Sequence, residues 1–140
     1  MTLDLSATPE EVMRAVEALQ QFGQAKQVPE KVLFGLALAL EECGSNIVNH
    51  ALQRDPHRKF RVAFEHTGDA VTIELRDPGP EFDPAAAPAV AAEANDDDRS
   101  PGGWGIQLVR RYMDDICYRR EAGQNVLRLT KHLTPTKAQK

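Results

Sequence analysis

The spacing of apolar residues predicts two helices in the first part of the chain. Segment 6–11 carries hydroxyl residues, a proline and two acidic residues, which together are typical of a helix start. Apolar residues then recur with the helical period, beginning at Val12 and Val16. A second helix is predicted from residues 28–30 to about Leu52.

Strict alternation of apolar and polar residues predicts strands further along the chain. Residues 60–64 and 71–75 alternate around a Gly-Asp turn, which is typical of a β-hairpin with one buried face. Helical spacing returns at 106–113, and residues 116–120 and 126–130 form a last hairpin. This order predicts an α+β fold, a two-layer sandwich whose mostly antiparallel mixed sheet carries its helices on one face.

The segment between the first hairpin and the helical spacing at 106–113 has no periodicity. Residues 84–103 are rich in alanine, contain prolines and include an acidic run. A loop of about 20 residues inside a compact domain is most often a lid, a binding loop or a disordered insert. We expect a single domain at residues 1–133, with its lid at about 84–103, and a polar tail at 134–140.

Composition narrows the class of protein further. The 140 residues are 41% hydrophobic and 27% charged, with a net charge of −4, which gives no electrostatic reason to bind nucleic acid or an anionic membrane. No apolar run approaches the roughly 20 residues of a membrane span, and residues 1–5 lead straight into the first helix without a signal peptide. We therefore expect a cytoplasmic protein. Cys43 and Cys117 are interpreted as reduced core thiols.

Three polar residues share one stripe of the second helix, beside its apolar face. Glu42, Asn46 and His50 follow one another at intervals of four, and each such step turns only about 40° past a full turn. An amide oxygen suits Mg²⁺ beside phosphates and water, and a carboxylate one turn away suits a general base. The alternative is a half-buried helix edge whose polar groups are satisfied by loops, and the stripe alone does not decide between them.

A second candidate element follows the predicted strand at 71–75. Asp77, fixed at a strand end, suits a hydrogen bond from an exocyclic amine such as that of adenine, and Gly79 lets the backbone approach a flat ring. Taken alone, Asp-Pro-Gly is more often an ordinary solvated turn.

The third candidate element is a glycine cluster at residues 102–105. It leads directly into a helix start, where exposed N–H groups and the helix dipole favour phosphate. It follows the predicted lid, and no Gly-Lys-Ser/Thr of a Walker-type loop is present.

In this order and spacing, the three elements resemble the N, G1 and G2 boxes of the GHKL (Bergerat-fold) ATPase and kinase superfamily. The likeness spans roughly residues 28–133 and is strongest at 40–51 and 103–115. Within the superfamily, the chain is most similar to the stand-alone serine/threonine kinases of the RsbW anti-sigma-factor type. A histidine-kinase-like ATPase domain with a long ATP lid is therefore implied.

The resemblance also implies residue roles and ligands. Glu42 corresponds to the catalytic base, and Asn46 to the ligand of Mg²⁺, with ATP as the nucleotide. The residues implied to bind ATP are Asn46, Asn49, His50, Asp77, Gly79, Gly102, Gly103, Trp104, Gly105 and Ile106. The chain departs from the pattern at Glu81, where the first glycine box usually has a second glycine, and at Asn125, near a threonine that many relatives place beside the adenine.

The function implied is phosphorylation of a serine or threonine on a small STAS-domain anti-sigma-factor antagonist. A sigma factor would be the other partner, phosphorylation would decide which partner is bound, and relatives of this type commonly form homodimers. A sensor histidine kinase is not favoured, because the first 27 residues have room for one helix only. The alternative function is a nucleotide-gated module that sequesters a partner without phosphorylating it.

Overall fold

The computed structural model describes residues 1–83 and 107–133 in full and the backbone alone of residues 101–106. Within these residues, five strands form one sheet in the order β1-β2-β3-β5-β4, and every neighbouring pair is antiparallel. The predicted α+β fold is confirmed. The strands are β1 (Thr2–Ser6), β2 (Lys59–Thr67), β3 (Ala70–Asp77), β4 (Asp115–Glu121) and β5 (Gln124–His132), and the helices are α1 (Pro9–Ala25), α2 (Glu30–Asn46), a π-helical turn (Ile47–Ala51) and α3 (Pro101–Tyr112).

The strand register places apolar side chains on the helix-covered face of the sheet. Phe64 pairs with Ile73, which pairs with Leu129, and Leu129 pairs with Ile116. Paired residues point to the same side of a sheet, so these four side chains form one row across four strands. The first three are fully buried in the core that α1 and α2 cover. None of the described helices has the length and apolar character needed to cross a lipid bilayer.

The first strand is not predicted by the spacing of apolar residues. Residues 1–5 do not lead straight into a helix, because β1 pairs with β2, with Leu3 opposite Val62 and Leu5 opposite Phe60. Five residues with two apolar positions give too short a pattern to recognise. Their strand conformation depends on a partner more than fifty residues away, which local sequence does not contain.

The interpretation of the two cysteines is half right. Cys43 is a buried free thiol on α2, and burial first, then the charge of Glu42, raises its pKa to about 12. Cys117, however, is exposed. The alternation of β4 places Ile116 and Tyr118 on the core face, so Cys117 between them points to the opposite face.

The second helix ends differently from the prediction. The α-helical hydrogen bonding stops at Asn46, and the chain continues as the π-helical turn before the N–H of Leu52 bonds back to the carbonyl of Ile47 over 2.8 Å. The next two residues, Gln53 and Arg54, have φ values of 54° and 59°. Such turns are rare inside helices and frequent at functional sites, and two successive left-handed residues are uncommon for side chains of this size.

Candidate nucleotide-binding site

The predicted polar stripe on α2 is half-buried at two of its three positions. Glu42 and Asn46 are both partly covered, whereas His50, inside the π-helical turn, is exposed. Neither Glu42 nor Asn46 hydrogen-bonds to another described residue, so their polar atoms remain available to a ligand. Burial, and secondly the charge of Glu41, raise the pKa of Glu42 above its ordinary value of 4.5.

The end of the π-helical turn is fixed by a side-chain hydrogen bond. Nε of Arg54 donates to Oδ1 of Asn49 over 2.7 Å, and the backbone N–H of Arg54 donates to the carbonyl of Val48 over 2.7 Å. The amide oxygen of Asn49 is thus already bonded to Arg54, whereas that of Asn46 has no such partner among the described residues. The amide oxygen of Asn46 is therefore the more available of the two for a cation.

Asp77 is a buried carboxylate at the end of β3, with 4% of its surface exposed. Its Oδ1 accepts two hydrogen bonds, from the backbone N–H of Gly79 over 2.8 Å and from Nδ2 of Asn125 over 3.1 Å. Oδ2 has no partner among the described residues, and none of their buried side-chain polar atoms is left unpaired. Oδ2 is therefore the oxygen of Asp77 that can accept a hydrogen bond from an exocyclic amine.

Asn125 lies directly opposite Asp77 on β5 and is also buried. Besides Asp77, its Nδ2 donates to the carbonyl of Pro80 over 2.8 Å. Both hydrogens of the amide are therefore used, one on the carboxylate and one on the segment that follows it. This joins the last residues of β3 to the start of β5.

The oxygen of the same amide accepts three hydrogen bonds. Oδ1 of Asn125 accepts from the hydroxyl of Tyr118 over 2.6 Å, from Nη1 of Arg120 over 3.1 Å and from the backbone N–H of Phe82 over 3.2 Å. Nη1 of Arg120 also donates to the carbonyl of Gly79 over 2.8 Å. Residues 79–82 are thus held against the β4–β5 hairpin by one carboxamide and one guanidinium.

Gly79 brings the Asp77 turn into contact with the last residue of the π-helical turn that follows α2. A Cβ at this position would lie 2.8 Å from the Cβ of Ala51, 2.9 Å from its carbonyl oxygen and 2.9 Å from Oδ1 of Asp77. Real Cβ atoms do not approach backbone this closely, so only glycine fits without displacing the π-helical turn or the carboxylate. The carboxylate at the strand end and the helix that carries Glu42 and Asn46 therefore meet at this contact.

The predicted phosphate loop is helical where it is described. The backbone of α3 begins at Pro101, so Gly102, Gly103 and Gly105 lie inside the first turns of the helix rather than in a loop before it. The side chains of Trp104 and Ile106 lie outside the described residues, as do most of the predicted lid, at 84–100, and the tail at 134–140. Their assignment to ATP stays a prediction.

Glu81 replaces the second glycine of the first glycine box without a positive φ. It is not among the residues with left-handed backbone, which in the described chain are Gln27, Gln53, Arg54, Ala122 and two glycines. This turn therefore does not need glycine at position 81.

Sequence reasoning missed the polar network behind Asp77. The sequence marks Asn125 only as a departure from the threonine of many relatives, and it gives no sign of Tyr118 or Arg120. The sequence does contain one signal. Asn125 alternates along the strand with Leu127 and Leu129, so it lies on the same buried face, where a polar side chain requires hydrogen-bond partners. The identity of those partners depended on the register of β3 with β5.

The sequence profile of the histidine kinase-like ATPase domain matches residues 5–131. The serine/threonine-protein kinase BtrW of Bordetella bronchiseptica is 31% identical over 134 residues, which cover 96% of this chain and 94% of that protein. The serine-protein kinase RsbW of Staphylococcus epidermidis is 27% identical over 94 residues, which cover 64% of this chain and 59% of that protein.

Two solved structures share the fold at low sequence identity. The SiaB-SiaC complex from Pseudomonas aeruginosa contains a chain with a TM-score of 0.69 and 13% identity, covering 93% of this chain and 88% of that one. A structure of RsbU and RsbW domains from Mycobacterium tuberculosis has a TM-score of 0.64 and 15% identity, covering 95% and 31%. With a family profile that matches nearly the whole chain, the protein belongs to the histidine kinase-like ATPase domain family and is a kinase of the GHKL type.

Proposed function

We propose that the chain is an Mg²⁺- and ATP-dependent serine/threonine kinase that phosphorylates a small STAS-type anti-sigma-factor antagonist. The observation that carries the proposal is the contact of Gly79 with Ala51. It brings the turn after Asp77, a carboxylate suited to adenine, against the π-helical turn that directly follows the helix carrying Glu42 and Asn46. One nucleotide lying across this junction has an acceptor for its base and ligands for its phosphates.

Asn46 is the residue we assign to the metal. Its carboxamide is half-buried, has no hydrogen-bond partner among the described residues and offers the hard oxygen that Mg²⁺ prefers. Bound Mg²⁺ neutralises charge on the phosphates of ATP during transfer. Gly102, Gly103 and Gly105, in the first turns of α3, place backbone N–H groups at a helix start, where phosphate binds favourably.

Glu42 is assigned to the chemical step. As the hydroxyl oxygen of the acceptor attacks the γ-phosphorus, its proton passes to the carboxylate of Glu42. The bond from that oxygen to phosphorus forms, the bond to the β–γ bridging oxygen breaks, and ADP leaves. A carboxylate whose pKa is raised by burial is a better proton acceptor than a fully solvated one.

The proposed partners follow from the relatives. BtrW and RsbW are named as serine or serine/threonine kinases, and SiaB is known in complex with SiaC. We extend this to a STAS-domain acceptor here, with a sigma factor as the alternative partner whose binding excludes the acceptor. The same resemblance supports a homodimer, which light scattering of the purified chain tests.

Transfer of label from γ-³²P-ATP to purified STAS proteins tests the kinase assignment. Wild type is expected to label the acceptor, and replacing the acceptor serine or threonine with alanine is expected to abolish labelling. Stable partner binding that depends on nucleotide but gives no label would instead support the sequestering module.

A further inference from the structure

We propose that Asn125 is a positioning residue for adenine selectivity: its carboxamide, held by Tyr118 and Arg120, fixes Asp77 and residues 79–82 in the base-binding arrangement. The inference rests on the proposed role of Asp77 in binding adenine. It adds that residues of the β4–β5 hairpin hold the carboxylate of Asp77 in one orientation.

The orientation of the Asn125 amide is determined by its neighbours. The two groups around Nδ2, the carboxylate of Asp77 and the carbonyl of Pro80, only accept hydrogen bonds. Around Oδ1, the guanidinium of Arg120 and the N–H of Phe82 only donate. A flipped amide would place donor against donor and acceptor against acceptor, so the network permits one orientation.

This orientation decides which oxygen of Asp77 is offered to a ligand. Nδ2 of Asn125 and the N–H of Gly79 both bind Oδ1, at 3.1 and 2.8 Å, and thereby leave Oδ2 as the oxygen that accepts no hydrogen bond from a described residue. An adenine ring presents an amine to such an oxygen, whereas guanine presents a carbonyl at the same ring position, which a carboxylate repels. Fixing Asp77 therefore favours adenine over guanine as well as increasing affinity.

Tyr118 supplies the support that is most easily removed. Its hydroxyl makes the shortest of the hydrogen bonds to Asn125, at 2.6 Å, and its ring is only partly buried on β4. Tyr118→Phe deletes that donor and keeps the ring. The other tyrosine of the chain, Tyr112, packs over Gly35 and edge-on against Phe34, with no part in this network. Tyr112→Phe is therefore a matched control.

The test measures ADP and GDP affinity by calorimetry for wild type, Tyr118→Phe, Asn125→Asp and Tyr112→Phe. We expect Tyr118→Phe to weaken ADP binding by about three- to tenfold, as for loss of one hydrogen bond, with little change for GDP. Asn125→Asp places a second carboxylate against Asp77 and should remove most of the preference for ADP. The control should retain wild-type values for both nucleotides.

The ratio of the two affinities separates positioning from general destabilisation, which would weaken ADP and GDP together. If wild type prefers ADP, and Tyr118→Phe and folded Asn125→Asp keep the same preference, the inference is wrong. That result would leave the proposed function intact. If Asn125→Asp does not fold, as judged by circular dichroism, Tyr118→Phe decides alone. A wild type that binds both nucleotides equally overturns the adenine assignment of Asp77 and the inference with it.

Discussion

The side-chain amide of Asn125 donates to Oδ1 of Asp77 over 3.1 Å, between residues that face each other in the register of β5 and β3. Both residues are buried, so the bond lies where water competes little for it. The same carboxamide holds Pro80 and Phe82, which lead into the predicted lid. The carboxylate that we propose binds the base and the entry to the predicted lid are therefore connected by one side chain.

Glu42→Gln should abolish phosphoryl transfer and leave ADP binding intact. The substitution keeps the shape of the side chain but removes the proton acceptor, and loss of a general base typically costs a factor of about 10²–10⁴ in rate. Single-turnover transfer and calorimetric binding of ADP provide the two measurements. Loss of ADP binding as well would indicate that Glu42 is structural.

Glu41→Gln should shift the pH dependence of transfer to lower pH. If Glu42 is the general base, as we propose, transfer needs its ionised form, so the rate should fall as pH drops through the raised pKa of that residue. The charge of Glu41 contributes to raising this pKa, and removing it lowers the midpoint. A profile of single-turnover rate against pH for both proteins measures the shift, and an unchanged midpoint would show that Glu41 does not act on the base.

The same raised pKa predicts that Glu42 reduces stability at neutral pH. Because the folded state binds this proton more tightly than the unfolded chain, stability is lost as pH rises from the ordinary value of 4.5 through the folded pKa. Glu42→Gln should therefore unfold at a higher temperature than wild type at pH 7. Thermal denaturation at pH 7 and at pH 4 checks the sign, since the difference should shrink at the lower pH.

Asp77→Asn should retain the fold and weaken adenine binding. The N–H of Gly79 and Nδ2 of Asn125 both donate to Oδ1, so an oxygen must stay at that position. The new amide nitrogen therefore takes the place of Oδ2. That atom would face the adenine amine as donor against donor, and leaving such a group unpaired costs about 1–3 kcal/mol, or roughly 5- to 150-fold in affinity. Asp115→Asn, at an exposed strand end, is the control. Unchanged ADP affinity in Asp77→Asn would refute the assignment.

Gly79→Ala should weaken both stability and nucleotide binding. The added methyl group lies 2.9 Å from the Ala51 carbonyl oxygen and from Oδ1 of Asp77, and overpacking of this kind costs about 1–3 kcal/mol. Gly68→Ala is a useful comparison, because its φ of 57° is unfavourable for alanine while nothing lies within 4 Å of the new methyl. It should lower the free energy of unfolding by about 1 kcal/mol and leave ADP affinity unchanged.

Asn46→Ala should remove most of the Mg²⁺ dependence of ADP binding. If the amide oxygen is the protein ligand, wild type should bind ADP more tightly with Mg²⁺ than with EDTA, and the variant should show little difference between the two conditions. Its affinity in EDTA should stay close to that of wild type, since the base contacts are unchanged. An equal response to Mg²⁺ in both proteins would show that Asn46 is not the metal ligand.

The parts of the fold that the sequence predicted correctly have local causes. The β2–β3 hairpin and the β4–β5 hairpin each pair strands adjacent in sequence, so alternation and a turn signal were sufficient. The turn at Ala122 and Gly123, both with positive φ, follows the same logic. In contrast, β1 and the exposed side of Cys117 depended on which strand lies beside which, and on which face the helices cover.

For the candidate site, the sequence alone determined which residues we propose for the chemistry. The four-residue spacing of Glu42 and Asn46, and an aspartate placed after a strand, are written in the chain. Tertiary structure decided how they work together: Gly79 meets Ala51, and Asn125 binds the inner oxygen of Asp77. The reason is physical, because a helical period fixes neighbours within one turn, whereas the partner of a buried polar group is fixed by strand register and close packing between distant segments.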